Sequence, residues 1–103
     1  MHSSEILRMD EATLVKALKT MPLREMEQHA RDLLKDLGQS NYGGFMKEAM
    51  QYLQENAQQE GRFEALQSWL RNTLPNQAVM SDIYARLATI IMMIISRKLA
   101  KLS

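Results

Sequence analysis

His29 stands four residues after Glu25 and three before Asp32, separations that bring side chains onto one helix face. An imidazole beside two carboxylates can ligate a metal ion, but a closed site needs four ligands, and an open one three. The chain's other histidine, His2, lies at its start, and there is no cysteine. The trio therefore reads as solvated neighbours on the polar side of a helix, and no metal is assigned. The stretch Gly38-Gln39-Ser40-Asn41-Tyr42-Gly43-Gly44-Phe45 has the glycine content of a phosphate loop. Such a loop needs lysine and then serine or threonine after its second glycine, to meet phosphates and magnesium. Gly44 and Phe45 occupy those places, so the stretch reads as an interhelical turn and implies no cofactor. No nucleophile, histidine and carboxylate assemble with specificity, so no catalytic residue is assigned and the expectation is a non-enzyme.

A third constellation has the side chains that read base edges. Arg62, Gln67, Ser68, Arg71 and Asn72 fall on one helical segment that follows Gly61, and Arg, Gln and Asn can each contact a base bidentately. With the preceding helix they would make a helix-turn-helix. Glu60 and Glu64 lie beside them, and an ordinary solvated face has the same composition.

The elements that must position these residues are helical. Two prolines (Pro22, Pro75) and four glycines (Gly38, Gly43, Gly44, Gly61) fall between periodic segments and punctuate the chain. A first helix starts at the cap Asp10 and runs to about Thr20, burying Leu14, Val15 and Leu18. Ser4 can open a short extra turn carrying Ile6 and Leu7. A second follows Pro22, with Leu23, Met26, Ala30, Leu33 and Leu37 three and four apart and Gly38 as its C-cap. A third carries Tyr42 or Phe45, then Met46, Ala49, Met50, Leu53 and Ala57, and ends by Gly61. A fourth aligns Phe63, Leu66, Leu70 and Leu74, and Pro75 stops it. The last is capped by Asn76 or Ser81 and begins with Met80, Ile83, Tyr84 and Leu87. From Ala88 it loses its pattern, because Ile90-Ile91-Met92-Met93-Ile94-Ile95 is apolar on every side. The fold class is all-α: a single domain over 1–103, a bundle of four to five helices, with 1–9 a partly flexible tail.

Composition supports a folded cytoplasmic protein. Of its 103 residues, 46% are hydrophobic and 24% charged, too apolar for intrinsic disorder. No signal-peptide pattern opens the chain. Residues 1–60 carry 7 basic and 10 acidic side chains, residues 61–103 carry 6 and 2. That asymmetry permits an acidic partner for the second half or head-to-tail self-association, and falls short of a nucleic-acid binder's basic footprint. The uncharged stretch Leu87–Ser96 makes about 15 Å of helix against a hydrocarbon core of about 30 Å, so no membrane span is expected.

A helix apolar all round must be covered all round. The run fits a central core helix or an oligomer seam equally, since periodicity does not separate the two, and a body this small is expected to cover it only in part. The reading is a non-enzymatic helical protein-binding module (adaptor, chaperone or regulator). It works as a dimer or with another chain, through Ile83, Leu87, Ile90, Ile91, Ile94 and Ile95. Met46 and Met50, one turn apart, form a second partner-facing patch, since thioether side chains adapt to irregular surfaces. The alternative is a DNA-binding regulator using Arg62, Gln67, Arg71 and Asn72, and the third reading is a subunit of a helical assembly.

Overall fold

The computed structural model describes residues 2–56, 61–74 and 83–102. Among them the chain forms six helices and no strand: α1 (Ser3–Ile6), α2 (Glu11–Thr20), α3 (Leu23–Asp36), α4 (Tyr42–Glu55), α5 (Arg62–Thr73) and α6 (Ile83–Leu102). The sixth element beyond the expected four to five is α1. Its Ile6 is fully buried, and its Ser3 bonds to α3, so side chains within the stretch expected to be a loose tail pack against the body. The caps expected at Asn76 or Ser81, the stop at Pro75, and the places of Ala57 and Met80 lie outside the described residues.

Local chemistry sets the helix ends. Asp10 accepts the Thr13 N–H at 2.7 Å, meeting one of the unpaired donors of a helix start. Pro22 precedes α3 and its fixed φ suits that entry. At the other end Gly38 takes φ +87°. Its N–H bonds to Lys35 O at 3.0 Å and that of Gln39 to Leu34 O at 2.8 Å, the paired closure that a left-handed residue permits. Asn41 caps α4 by accepting the Gly44 N–H at 3.0 Å. A Cβ on Gly44 would meet Asn41 Nδ2 at 2.5 Å, so this cap requires glycine three residues on.

α6 is the axis of the fold. It packs against α5, α3 and α2, while α4 lies on α5 and α3, and α1 on α3. Leu87, Ile90, Ile91 and Ile94 have no exposure, and Ile83 and Ile95 retain 5% and 7%. At 100° per residue the buried apolar positions of α6 from Ile83 to Ile95 span an arc of about 160°. Three helices suffice to cover such an arc. Of the two places open to this helix, core or interface, the structure shows the core for its isoleucines. The expectation of only partial cover is corrected: the chain's own helices cover them. What read as apolar on every side was this wide arc plus Met92 and Met93, which fill the remaining sector and are partly buried.

Two arginines fix α2 to α6. Arg86 Nε donates to Met9 O at 2.7 Å, and its Nη1 lies 3.5 Å from Glu11 Oε2. Arg97 donates to Met21 O at 2.6 Å and to Leu18 O and Lys19 O at 2.8 Å each. Eleven residues of α6 rise about 16 Å, matching the length of α2. The two helices thus run in the same direction, with an arginine at each end.

Candidate functional site

His29 is not a solvated neighbour. It is 5% exposed, because α1 folds over it. Ser3 Oγ lies 2.9 Å from His29 Nδ1 and 2.9 Å from Asp32 Oδ2. A serine hydroxyl has one proton, and only Ser3 can supply it to the Asp32 carboxylate. Ser3 therefore donates to Asp32 and accepts from Nδ1–H, which fixes the imidazole tautomer. His29 Nε2 is then left buried without a hydrogen-bond partner, 3.8 Å from Glu25 Oε1. The serine gives its proton to a carboxylate rather than to the histidine, so this trio does not activate a nucleophile. It is a clasp holding α1 on α3. Among the described residues no group of three His, Cys, Asp or Glu is placed to hold a metal ion.

Gln67, Ser68, Arg71 and Asn72 fall within an arc of about 140° on α5, and Arg62 lies outside it. At 100° per residue Arg62 and Arg71 lie about half a turn apart around α5, and Glu64 falls within 20° or so of Arg71. Arg62, Arg71 and Asn72 are exposed and Gln67 is half-buried. Arg71 sits over the Tyr84 ring, 5.6 Å from its centroid. A recognition helix needs its readers aligned into one groove, and Arg62 stands apart from that alignment.

Among the described residues the surface includes two grooves. The first, of about 390 Å³, lies between α2, α5 and α6. Val15, Phe63, Met92 and Met93 line it, with Glu11, Thr89 and Ser96 among its polar groups. The Thr89 hydroxyl sits 2.6 Å from Glu11 Oε1 and 2.9 Å from Ala85 O. Glu11 and Thr89 are thereby engaged with each other, leaving the groove chiefly apolar. Neither Val15 nor Phe63 was singled out from the sequence as a contact residue. The available signal was the Met92-Met93 pair, which interrupts the isoleucine run where a core helix would otherwise continue.

The second is a trough along α3, α4 and the end of α6. Two depressions of about 620 and 550 Å³ share Tyr42, Gly43 and Lys98. The expected Met46–Met50 patch lies in its second arm. Met46 is largely core at 5% exposure and Met50 is half-buried, so the structure brings the pair together with only Met50 substantially open.

A polar network forms the trough's middle. Tyr42 Oη donates to Glu27 Oε2 at 2.9 Å, Lys98 Nζ lies 3.1 Å from the same oxygen, and the Arg31 guanidinium sits 4.5 Å from the Tyr42 ring centroid. Burial pushes the Glu27 carboxyl upward, but the hydrogen bonds from Tyr42 and Lys98 outweigh it and hold the group below its ordinary 4.5. The same burial and hydrogen bond push the Tyr42 phenol well above its ordinary 10.0. Asp32 is held below 3.8 by hydrogen bonds from Gln28 and Ser3, and Asp10 by those from Thr13.

These shifts have a sign in stability. A carboxyl depressed in the folded state contributes stability above its unfolded value, lost as pH falls through the folded one. The denaturation midpoint should therefore drop steadily as pH falls below about 4.5. It should also fall above about pH 10, where unfolding releases the Tyr42 proton. Tyr42→Phe should remove the alkaline decline attributable to this phenol; an unchanged alkaline limb in that variant would contradict the assignment.

No helix among the described residues is long and apolar enough to cross a membrane. The chain matches no protein-family model, and comparison with curated proteins and with solved structures returns no match.

Proposed function

We propose that this chain is a non-enzymatic protein-binding module that takes an apolar segment of another chain into the groove between α2, α5 and α6. The observation that carries the reading is the lining: Phe63 and two adjacent methionines lie partly uncovered in one shallow, open depression. Aromatic and methionine side chains are enriched where proteins meet, and unbranched thioethers repack around different partners. The isoleucines that suggested a partner from sequence are excluded as its contact surface by their burial. The partner's contact is shifted to the face they leave open. Leu99 is 54% exposed and lies two turns beyond Met92.

Affinity purification from cells of origin tests this. The wild-type chain should retain a defined protein in near-stoichiometric amount. Met93→Glu and Phe63→Ala should each reduce it by about tenfold or more, about 1.4 kcal/mol or above, with helix content and thermal midpoint close to wild type. Equal retention by both folded variants would contradict the reading.

A further inference from the structure

The trough centred on Tyr42 shares no residue with the apolar groove, and its chemistry differs. Arg31, Lys35, Lys47 and Lys98 line it, against the carboxylates of Glu27 and Asp32. Both carboxylates are occupied. Glu27 meets Tyr42 and Lys98, and Asp32 accepts from Ser3 and Gln28. Neither Lys35 nor Lys47 has an ion pair within 4.0 Å among the described residues. Arg31 and Lys35 stand near enough to Glu27 and Asp32 to act on them, and four basic side chains against two carboxylates leave the trough with positive charge in excess. At the end formed by α4 it adds an apolar step, Met50 beside Met46.

Gly43 supplies an independent observation. It belongs to both arms of the trough, and a Cβ there would meet nothing within 4 Å. Its φ is not positive. No contact or backbone angle inside the fold therefore requires glycine at this second position of α4. A remaining use for a bare backbone is the close approach of another backbone. Gly44, by contrast, is fully explained by its contact with Asn41.

We infer that the trough docks an acidic linear segment of a partner protein, its carboxylates meeting Lys35, Lys47 and Arg31. Its backbone passes over Gly43, and one apolar side chain rests on Met50. This extends the protein-binding reading to a second surface. Charge complementarity favours an acidic chain, and the methionine step favours a peptide over a nucleic acid.

The test uses the full chain and a short fluorescein-labelled peptide of glutamates with leucine at every fourth position. Anisotropy measures binding, and amide chemical shifts locate it. The expected result is binding that weakens with salt, with shifts concentrated at Arg31, Tyr42, Gly43, Lys47 and Lys98. A glutamine-for-glutamate version of the peptide should bind about tenfold or more weakly. Lys35→Glu with Lys47→Glu should produce a similar loss. Gly43→Gln should lose binding while its thermal midpoint holds or rises, which a purely structural role would not give. Equal binding of the glutamine peptide overturns the inference, as does stronger binding of a short single-stranded oligonucleotide. Shifts confined to Phe63 and Met93 would overturn it while leaving the apolar-groove reading intact. Loss of partner capture through that groove with the trough titration unchanged would do the reverse.

Discussion

Ile91→Asp should abolish cooperative folding. Ile91 is fully enclosed by the chain's own helices, so the substitution removes a buried aliphatic side chain and sets a carboxylate among apolar neighbours with no partner. Ionised, that group costs several kcal/mol; protonated, it still lacks a hydrogen-bond partner and costs about 1–3 kcal/mol. Added to the lost burial, either exceeds much of a small domain's net stability of roughly 5–15 kcal/mol. Ile91→Ala, which leaves only a cavity, should cost about 2–5 kcal/mol, and Ile91→Val about 0.5–1.5. Urea denaturation followed by circular dichroism should rank the three in that order. A folded Ile91→Asp chain with a wild-type midpoint would mean that Ile91 faces outward, contrary to the packing of α6.

The next largest effect is expected from Arg97. Its guanidinium donates to three carbonyls at the end of α2, groups that a helix C-terminus leaves without intrahelical partners. Charge-assisted hydrogen bonds are worth about 1.5–3 kcal/mol each, but the bond to Lys19 O is exposed and water will replace part of the loss there. Arg97→Ala should therefore destabilise by about 2–3 kcal/mol. Arg97→Lys should recover less than half, since an ammonium lacks the planar fork that reaches several acceptors. Arg86→Ala should cost less, having one carbonyl and a longer ion pair to replace. Equal stability of Arg97→Lys and wild type in urea denaturation would show that charge alone, and not the fork, holds α2.

The periodic helices were legible because their signals are local. Asp10, Pro22 and Gly38 mark boundaries through backbone chemistry that acts within a few residues, and the structure places the ends of α2 and α3 by them. The burial of α6 was not legible, because it depends on how many other helices reach its surface. Periodicity within Ile90–Ile95 carries no information about neighbours in space. His29 illustrates the same limit. On its own helix it stands between two carboxylates and reads as polar surface, but α1, twenty-odd residues earlier, covers it and supplies the Ser3 hydroxyl. Arg86 and Arg97 were likewise two basic residues on an apolar helix until α2 came alongside. The grooves are legible only in three dimensions, as each draws residues from three helices. Met46 and Met50 reached one of them from sequence because they lie a single turn apart.

Amide hydrogen exchange along α6, measured over a dilution series from high to low micromolar, tests most directly whether the chain covers its own isoleucines. Exchange should be slowest over Ile90–Ile94, with protection independent of protein concentration, since the covering helices belong to the same molecule. Protection that falls away on dilution would mean that a second chain supplies the cover, and would contradict the arrangement of α2, α3 and α5 around this helix.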